Sequence, residues 1–94
     1  MYNIQTIKHC EATPNDLQRA IAIKSVAWPY PMESQLAWMR DNLQSIDTHV
    51  FLQEDGCDVA YLNIAMVHAN INGVDTLCAG IGNVCSKRMG GVKI

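Results

Sequence analysis

The chain has 94 residues, of which 49% are hydrophobic and 17% are charged, and its formal net charge is −2. This composition excludes a disordered chain and predicts one small globular domain with a thin core. The chain also lacks the broad basic surface that nucleic-acid binding requires, so we expect no nucleic-acid partner.

The sequence shows no secretory leader and no run of 18 apolar residues. We therefore expect a cytoplasmic protein with no membrane partner. Its cysteines form no C-x-x-C pair, which predicts free, mostly buried thiols and no metal site. The four cysteines are Cys10, Cys57, Cys78 and Cys85.

The first half of the chain predicts one strand and two helices. A short strand is indicated by YNIQTIKH, and a helix follows in which Thr13 caps, Pro14 takes the first position and Asp16 favours the positive end. This helix must end before the PYP turn at residues 29–31. A second amphipathic helix is predicted in SQLAWMRDNLQ, with Ser34 as its cap. Its apolar stripe consists of Leu36, Met39 and Leu43.

The second half predicts three strands joined by tight turns. THVFLQ is a short strand, EDG is a turn, and CDVAYLNIAMVHA is a long strand that is apolar at odd and even positions and is therefore expected to be buried on both faces. Asn72-Gly73 predicts a hairpin that returns through VDTLCAGIGNVCS. The predicted fold class is α+β, with about four strands in a mixed or antiparallel sheet, two helices and the order β-α-α-β-β-β.

Two common phosphate-binding patterns are excluded near the end of the chain. Gly80 and Gly82 form a G-x-G, but Cys85 stands where the dinucleotide fingerprint needs a third glycine. The pattern G-x-x-x-x-G-K-[ST] also fails, because neither Lys87 nor Lys93 is followed by Ser or Thr.

The closing segment NVCSKRMGGVKI predicts a strand that runs into a basic turn containing glycine. Backbone N–H groups in such a turn can form a concave donor array for phosphate or pyrophosphate, and nearby basic side chains strengthen it. The alternative is a solvated turn that binds nothing.

In its layout and in this segment the chain resembles the GNAT-type N-acetyltransferases. That family carries the loop [Q/R]-x-x-G-x-[G/A]. Arg88 matches its first position and Gly91 its glycine, while Lys93 stands where the family has a small residue. The resemblance implies a truncated acyl-CoA N-acyltransferase fold, with residues 1–94 forming the N-terminal part of a single domain that ends at the pyrophosphate-binding loop.

The resemblance further implies acetyl-CoA, or coenzyme A, as the cofactor. A small-molecule or peptide amine would attack the acetyl thioester directly, without a covalent cysteine intermediate. Asn83, Val84 and Cys85 would lie on the strand that pairs with the pantetheine arm. The residues implied to hold the pyrophosphate are Ser86, Lys87, Arg88, Met89, Gly90, Gly91, Val92 and Lys93.

Several residues are candidates for the general base and for the wall of the acceptor pocket. Titratable residues expected at strand ends could act as the base, and the alternative for each is a turn residue or a solvated group. The aromatic residues between the helices border the acceptor pocket in the resembling family, or else they pack the helices onto the sheet. The base candidates are Glu54, Asp55, Asp58, His68 and Asp75, and the aromatic residues are Trp28, Tyr30 and Trp38.

Two expectations and two alternative functions concern the whole chain. As a truncated family member it should have weak or no acetyltransferase activity. Its apolar sheet face and edge strand should lead to a homodimer or higher self-association. The alternatives are a non-catalytic α+β binding or self-associating module, and a cysteine-based enzyme that uses Cys57 or Cys85 with His68.

Overall fold

Two helices on one face of a four-stranded antiparallel sheet make up the computed structural model, which describes residues 1–86. The strands lie side by side in their chain order, and each neighbouring pair is antiparallel. The predicted fold class and the order β-α-α-β-β-β are confirmed. The elements are β1 (Tyr2–Lys8), a 3-10 turn (His9–Glu11), α1 (Pro14–Ala27), α2 (Met32–Asn42), β2 (Thr48–Glu54), β3 (Cys57–Ile71) and β4 (Val74–Ser86).

Helix α1 begins as its sequence predicts. The backbone N–H of Asp16 donates to Thr13 Oγ1 at 3.2 Å, and the backbone N–H of Thr13 donates to Asp16 Oδ2 at 2.9 Å. This reciprocal capping box satisfies two backbone donors that the helix leaves unpaired. The hydrogen bond from the Thr13 backbone is the largest of the causes that lower the pKa of Asp16. Pro14 occupies the first turn, and the helix ends at Ala27, before the proline-rich turn.

Helix α2 begins earlier than predicted, and the assignment of Ser34 as its cap is wrong. The helix starts at Met32 with Pro31 at the cap position, and no side chain caps it. The proline ring fixes φ of Pro31 at −55°, which suits entry into a helix, so the helix follows the proline directly and Ser34 lies inside the first turn. The apolar stripe is confirmed, since Met39 is buried and Leu36 and Leu43 pack against the core.

Both predicted turns are two-residue hairpin connections. Asp55-Gly56 joins β2 to β3 with φ of 50° and 84°, and Asn72-Gly73 joins β3 to β4 with φ of 53° and 80°. Positive φ at both central residues is the conformation that matches the twist of the flanking strands, and Asx-Gly pairs adopt it readily. The Asx-Gly pairs therefore set the registers at which β2, β3 and β4 begin to pair.

The prediction that the long strand β3 is buried on both faces is wrong in the part of the chain that the structure describes. On the face that carries the helices, Tyr61 and Asn63 are buried. On the opposite face, which we call the outer face, Leu62 is only half-buried. Apolar residues at odd and even positions indicate that both faces are apolar, but they do not show that both are covered. The outer face consists of Ile4, Val50, Leu52, Ala60, Leu62 and Val84.

The core lies between the helices and the inner face of the sheet. It is formed by Ala20, Ile21, Ile23, Met39, Phe51, Tyr61 and Cys85. All four cysteines are free, as predicted, but the expectation that most are buried is wrong, because among them only Cys85 is buried. Cys10 lies in the 3-10 turn and Cys57 follows the β2–β3 turn, and both are exposed. Neither helix in residues 1–86 combines the length and the apolar character needed to cross a membrane.

Arg19 links α1 to the sheet through side-chain hydrogen bonds. Its Nε and one terminal nitrogen each donate to Asp58 at 2.8 Å, and that terminal nitrogen also donates to Gln5 Oε1 at 2.8 Å. The remaining terminal nitrogen donates to Asp16 at 3.2 Å, within the helix. The guanidinium carbon lies 4.3 Å from the centroid of the Phe51 ring. A forked contact of this kind fixes both the position and the rotation of α1 on β1, β2 and β3.

Candidate functional site

A β-bulge interrupts the pairing of β4 with β3. Asn63 pairs with Gly82 and Tyr61 pairs with Cys85, so one residue of β3, Leu62, lies opposite two residues of β4. The first of these two, Asn83, has φ of 52°, a left-handed conformation that asparagine tolerates better than most residues. A bulge locally disrupts the ladder of hydrogen bonds and redirects side chains. It is therefore a place where a strand can present backbone groups to a ligand.

A cleft of about 340 Å³ lies beside this bulge. Its walls come from the C-terminal end of α1, the proline-rich turn, the first part of α2 and the bulge itself. Trp28, Tyr30 and Trp38 line it and are 39%, 65% and 42% exposed, so none of them belongs to the buried core. The described residues that line the cleft are Lys24, Trp28, Tyr30, Ser34, Gln35, Trp38 and Asn83.

Gln35 shapes the rim of the cleft from a buried position. Its side-chain nitrogen lies 3.1 Å from Ser25 Oγ and 3.3 and 2.9 Å from the carbonyl oxygens of Trp28 and Tyr30, to which it donates. These bonds tie the end of α1 and the proline-rich turn to α2. The side-chain oxygen of Gln35 is buried and accepts no hydrogen bond from the described residues. A buried carbonyl oxygen without a donor is uncommon in folded proteins, and this one belongs to a residue of the cleft wall.

Lys24 brings the only formally charged side chain to the cleft lining within residues 1–86. It is 6% exposed, and its Nζ lies 4.9 Å from the centroid of the Trp38 ring. No ion pair between Lys24 and a described carboxylate is present. Burial lowers the pKa of Lys24, because desolvation disfavours the charged amine.

A line of three hydrogen-bonded side chains runs under the helices and was missed by the sequence analysis. His9 Nδ1 lies 2.9 Å from His49 Nε2, and His49 Nδ1 lies 2.6 Å from Tyr61 Oη. Burial, followed by the nearby His9, lowers the pKa of His49 to about 4, and burial raises the pKa of Tyr61. Within residues 1–86, no group of three potential ligands is placed to hold a metal ion here.

The proposed bases lie away from the cleft lining. Glu54 and Asp55 lie at the β2–β3 hairpin, where Asp55 pairs with the N-terminal amine. Asp58 accepts hydrogen bonds from the arginine of α1 and from a β2 glutamine. His68 and Asp75 are exposed near the β3–β4 hairpin. The structure thus distributes the five candidates over both ends of the sheet rather than bringing them together.

The proposed cofactor-binding residues of β4 have three different surroundings. Asn83 lies at the bulge and lines the cleft, Val84 belongs to the outer face, and Cys85 is buried in the core. Ser86 is the last residue of β4. The predicted pyrophosphate-binding residues that lie outside the described part of the chain are Lys87, Arg88, Met89, Gly90, Gly91, Val92 and Lys93.

The structure does not place either cysteine beside His68. Cys57 and His68 lie on the same extended strand and are eleven residues apart, which is about 36 Å at roughly 3.3 Å per residue. Cys85 pairs with Tyr61, seven residues from His68, or roughly 23 Å by the same rise. Burial also raises the pKa of Cys85 to about 11, which keeps its thiol protonated. Neither Cys57 nor Cys85 can therefore pair with His68 in this structure.

Two solved structures share this fold. One, from Enterococcus faecalis, is described as a conserved protein of unknown function and probable N-acyltransferase. It aligns with 97% of this chain at a TM-score of 0.68 and 19% identity. The other, ElaA of Escherichia coli, aligns with 98% of this chain at a TM-score of 0.64 and 18% identity. At these identities the likeness shows an acyltransferase-like fold.

This chain spans 23% of the Enterococcus protein and 60% of ElaA. No protein-family model matches the sequence, and no curated protein does so.

Proposed function

We propose that the chain forms the acceptor-binding part of an N-acyltransferase that uses an acyl-CoA, with acetyl-CoA as the donor. The observation that carries this proposal is the bulge at Asn83, which opens onto a cleft walled by aromatic side chains. The cleft offers a place for an amine, and the strand beside it offers backbone groups for an extended donor. The acyltransferase-like fold and the GNAT-type resemblance of the closing segment support the same assignment.

The outer edge of β4 suits an extended ligand that carries amide groups. β4 is an edge strand of the described sheet, so its outward N–H and C=O groups from Gly80 to Cys85 have no neighbouring described strand. Nothing lies within 4 Å of the position where Gly80 would carry a Cβ. Asn83, Val84 and Cys85 are the residues that would pair with the pantetheine arm, in the manner of an added strand.

The chemistry requires little from the protein beyond positioning. A bound acyl-CoA would supply a thioester. The cleft would orient the amine, and a backbone N–H at the bulge would stabilise the negative charge on the carbonyl oxygen. A carbon–nitrogen bond forms as the carbon–sulfur bond breaks. The proton lost by the amine ends on the departing thiol. Tyr61 and Cys85 have raised pKa values and remain protonated and buried throughout.

Calorimetric titration of the 94-residue chain with coenzyme A and with acetyl-CoA tests this proposal. We expect binding that weakens about tenfold in Arg88→Ala, because a charge-assisted hydrogen bond to phosphate contributes roughly 1.5–3 kcal/mol. Lys8→Ala is the matched control, since it removes one positive charge from an exposed position on β1. Absence of binding by a chain that circular dichroism shows to be folded would contradict the proposal.

We also propose that two copies of the chain associate through β4 and the outer face. The exposed apolar residues there include Ile4, Ile81 and Val84, at 66%, 70% and 47% exposure. An edge strand of 13 residues next to such a face can pair with a second copy of itself. A non-catalytic module would show the same self-association.

Light scattering at micromolar concentration should therefore give the mass of a dimer. Ile81→Lys should give a monomer, because a charge on an edge strand opposes strand pairing. Val67→Lys is the control, since Val67 is also exposed, at 48%, but lies on the central strand β3 and on the opposite face. A wild-type chain that is monomeric under these conditions would rule out the association.

A further inference from the structure

The lining of the cleft includes one positive charge, that of Lys24, which has no described carboxylate as its partner. None of the described residues that line it is Asp or Glu, while Lys24 places an ammonium group there at 6% exposure. Contact with the Trp38 ring compensates part of the lost hydration, but a ring face is a weaker partner than a carboxylate. A ligand that carries a negatively charged group would supply the missing counter-ion.

The wall of the cleft also includes a hydrogen-bond acceptor without a donor, the side-chain oxygen of Gln35. The Gln35 side-chain nitrogen is already shared among three acceptors, so this residue offers a ligand only its oxygen. That oxygen is buried in a residue that is 5% exposed, and a buried carbonyl oxygen without a donor is an uncommon arrangement in folded proteins. A ligand with an N–H group would satisfy it.

We propose that the acceptor bound in this cleft is an amino acid with an apolar or aromatic side chain. Its carboxylate pairs with Lys24, its amine donates to Gln35 Oε1, and its side chain packs between Trp28 and Tyr30. Only the role of this ligand as the acyl acceptor rests on the proposed function. The binding itself requires no acyl donor.

Other ligands fit the same groups less well. A simple cationic amine would bring a second positive charge next to Lys24, and a neutral apolar molecule would leave both Lys24 and Gln35 without a partner. The volume of about 340 Å³ lies near the lower limit of the roughly 300–1,000 Å³ that small-molecule sites occupy. That size favours a single amino acid over a peptide.

Tryptophan fluorescence measures this binding directly. The chain has two tryptophans, and Trp28 and Trp38 both line the cleft. The probes are L-phenylalanine, phenethylamine, which lacks the carboxylate, and 3-phenylpropionate, which lacks the amine. We expect L-phenylalanine to bind at least tenfold more tightly than either of the other two.

Lys24→Met tests the role of the charge, because it keeps an unbranched side chain of similar length and removes only the ammonium. We expect this variant to lose the preference for L-phenylalanine over phenethylamine. Lys8→Met, at an exposed position on β1, should retain it. Circular dichroism of each variant confirms that the comparison is between folded chains.

Each outcome bears on the proposal. Equal binding of L-phenylalanine and phenethylamine by the wild-type chain would overturn it, and so would unchanged selectivity in Lys24→Met. Failure of a folded chain to bind either L-phenylalanine or L-leucine would also overturn it, even where coenzyme A binds. If the chain bound the amino acid but not coenzyme A, the acyltransferase function would be contradicted. The proposed preference of the cleft for an amino acid would still hold.

Discussion

Replacing Phe51 with alanine is expected to lower the free energy of unfolding by about 4 kcal/mol. Phe51 is fully buried, its ring centroid lies 5.2 Å from that of Tyr61, and the guanidinium carbon of Arg19 lies over the ring, 4.3 Å from its centroid. The substitution therefore creates a cavity and removes the surface on which Arg19 rests. Small domains have total stabilities of roughly 5–15 kcal/mol, so this variant should be close to unfolded in water.

Urea denaturation followed by circular dichroism measures this effect, and the neighbouring residue provides its control. Val50 lies on the same strand but on the outer face, where it is only half-buried. We expect Val50→Ala to cost less than about 1 kcal/mol, since it removes two methyl groups from a partly exposed position. Similar losses for the two variants would show that the outer face is packed as tightly as the inner one.

Acidification is expected to remove about 3 kcal/mol of stability between pH 6.5 and pH 4 through His49 alone. The pKa of this side chain falls from 6.5 to about 4 on folding, chiefly because burial opposes its charge. The unfolded state therefore takes up a proton first as the pH falls. The stability that depends on neutral His49 is complete above about pH 6.5 and is lost progressively down to about pH 4, at roughly 1.4 kcal/mol per pH unit.

The matched variants for this prediction are His49→Gln and His68→Gln. Glutamine does not titrate, so His49→Gln should have a lower stability at pH 7.5 but a smaller loss between pH 7.5 and pH 4.5. His68 is exposed on β3, and its replacement should leave the wild-type pH dependence intact. If His49→Gln and the wild type lost the same stability over this range, His49 would not be the titrating group.

The sequence predicted the parts of the fold that neighbouring residues determine. Thr13, Pro14 and Asp16 lie within one turn of α1 and specify its start without help from the rest of the chain. Asn72-Gly73 likewise fixes its hairpin through backbone conformations that few other residue pairs adopt. These signals are local, so a single sequence is enough to read them.

The features that the sequence did not predict depend on distant residues. Whether both faces of β3 are covered depends on which elements pack there, and the composition of Cys57–Ile71 does not contain that information. The hydrogen bond between His9 and His49 joins residues 40 positions apart, which become neighbours only after β1 pairs with β2. Ser34 has the side chain of a typical cap, but Pro31 fixes a backbone conformation that starts the helix at Met32 instead.

The candidate site was predictable in part. The aromatic residues between the helices are predicted from the sequence as a possible pocket wall, and all three line the cleft. Lys24 lies among the buried residues of α1, but helical spacing alone does not show that its side chain lines a cleft. Gln35 gave no signal, since its role depends on carbonyl oxygens that the proline-rich turn brings within reach.

The strand register shifts between β2 and β3 as well as at the β3–β4 bulge, and these two shifts indicate where the length of this chain can change. Because the Asx-Gly turns fix the hairpins, one residue inserted inside a regular part of β2 would exchange the inner and outer faces of that strand and place Phe51 in solvent. At Val59, β3 already carries one residue more than β2, and at Asn83, β4 carries one residue more than β3. A bulge absorbs a change of one residue by widening or disappearing, while the pairing on either side persists. Homologues of different length should therefore differ at these two points and at the turns, and the second point adjoins the cleft, where a lost residue would also reshape the binding site.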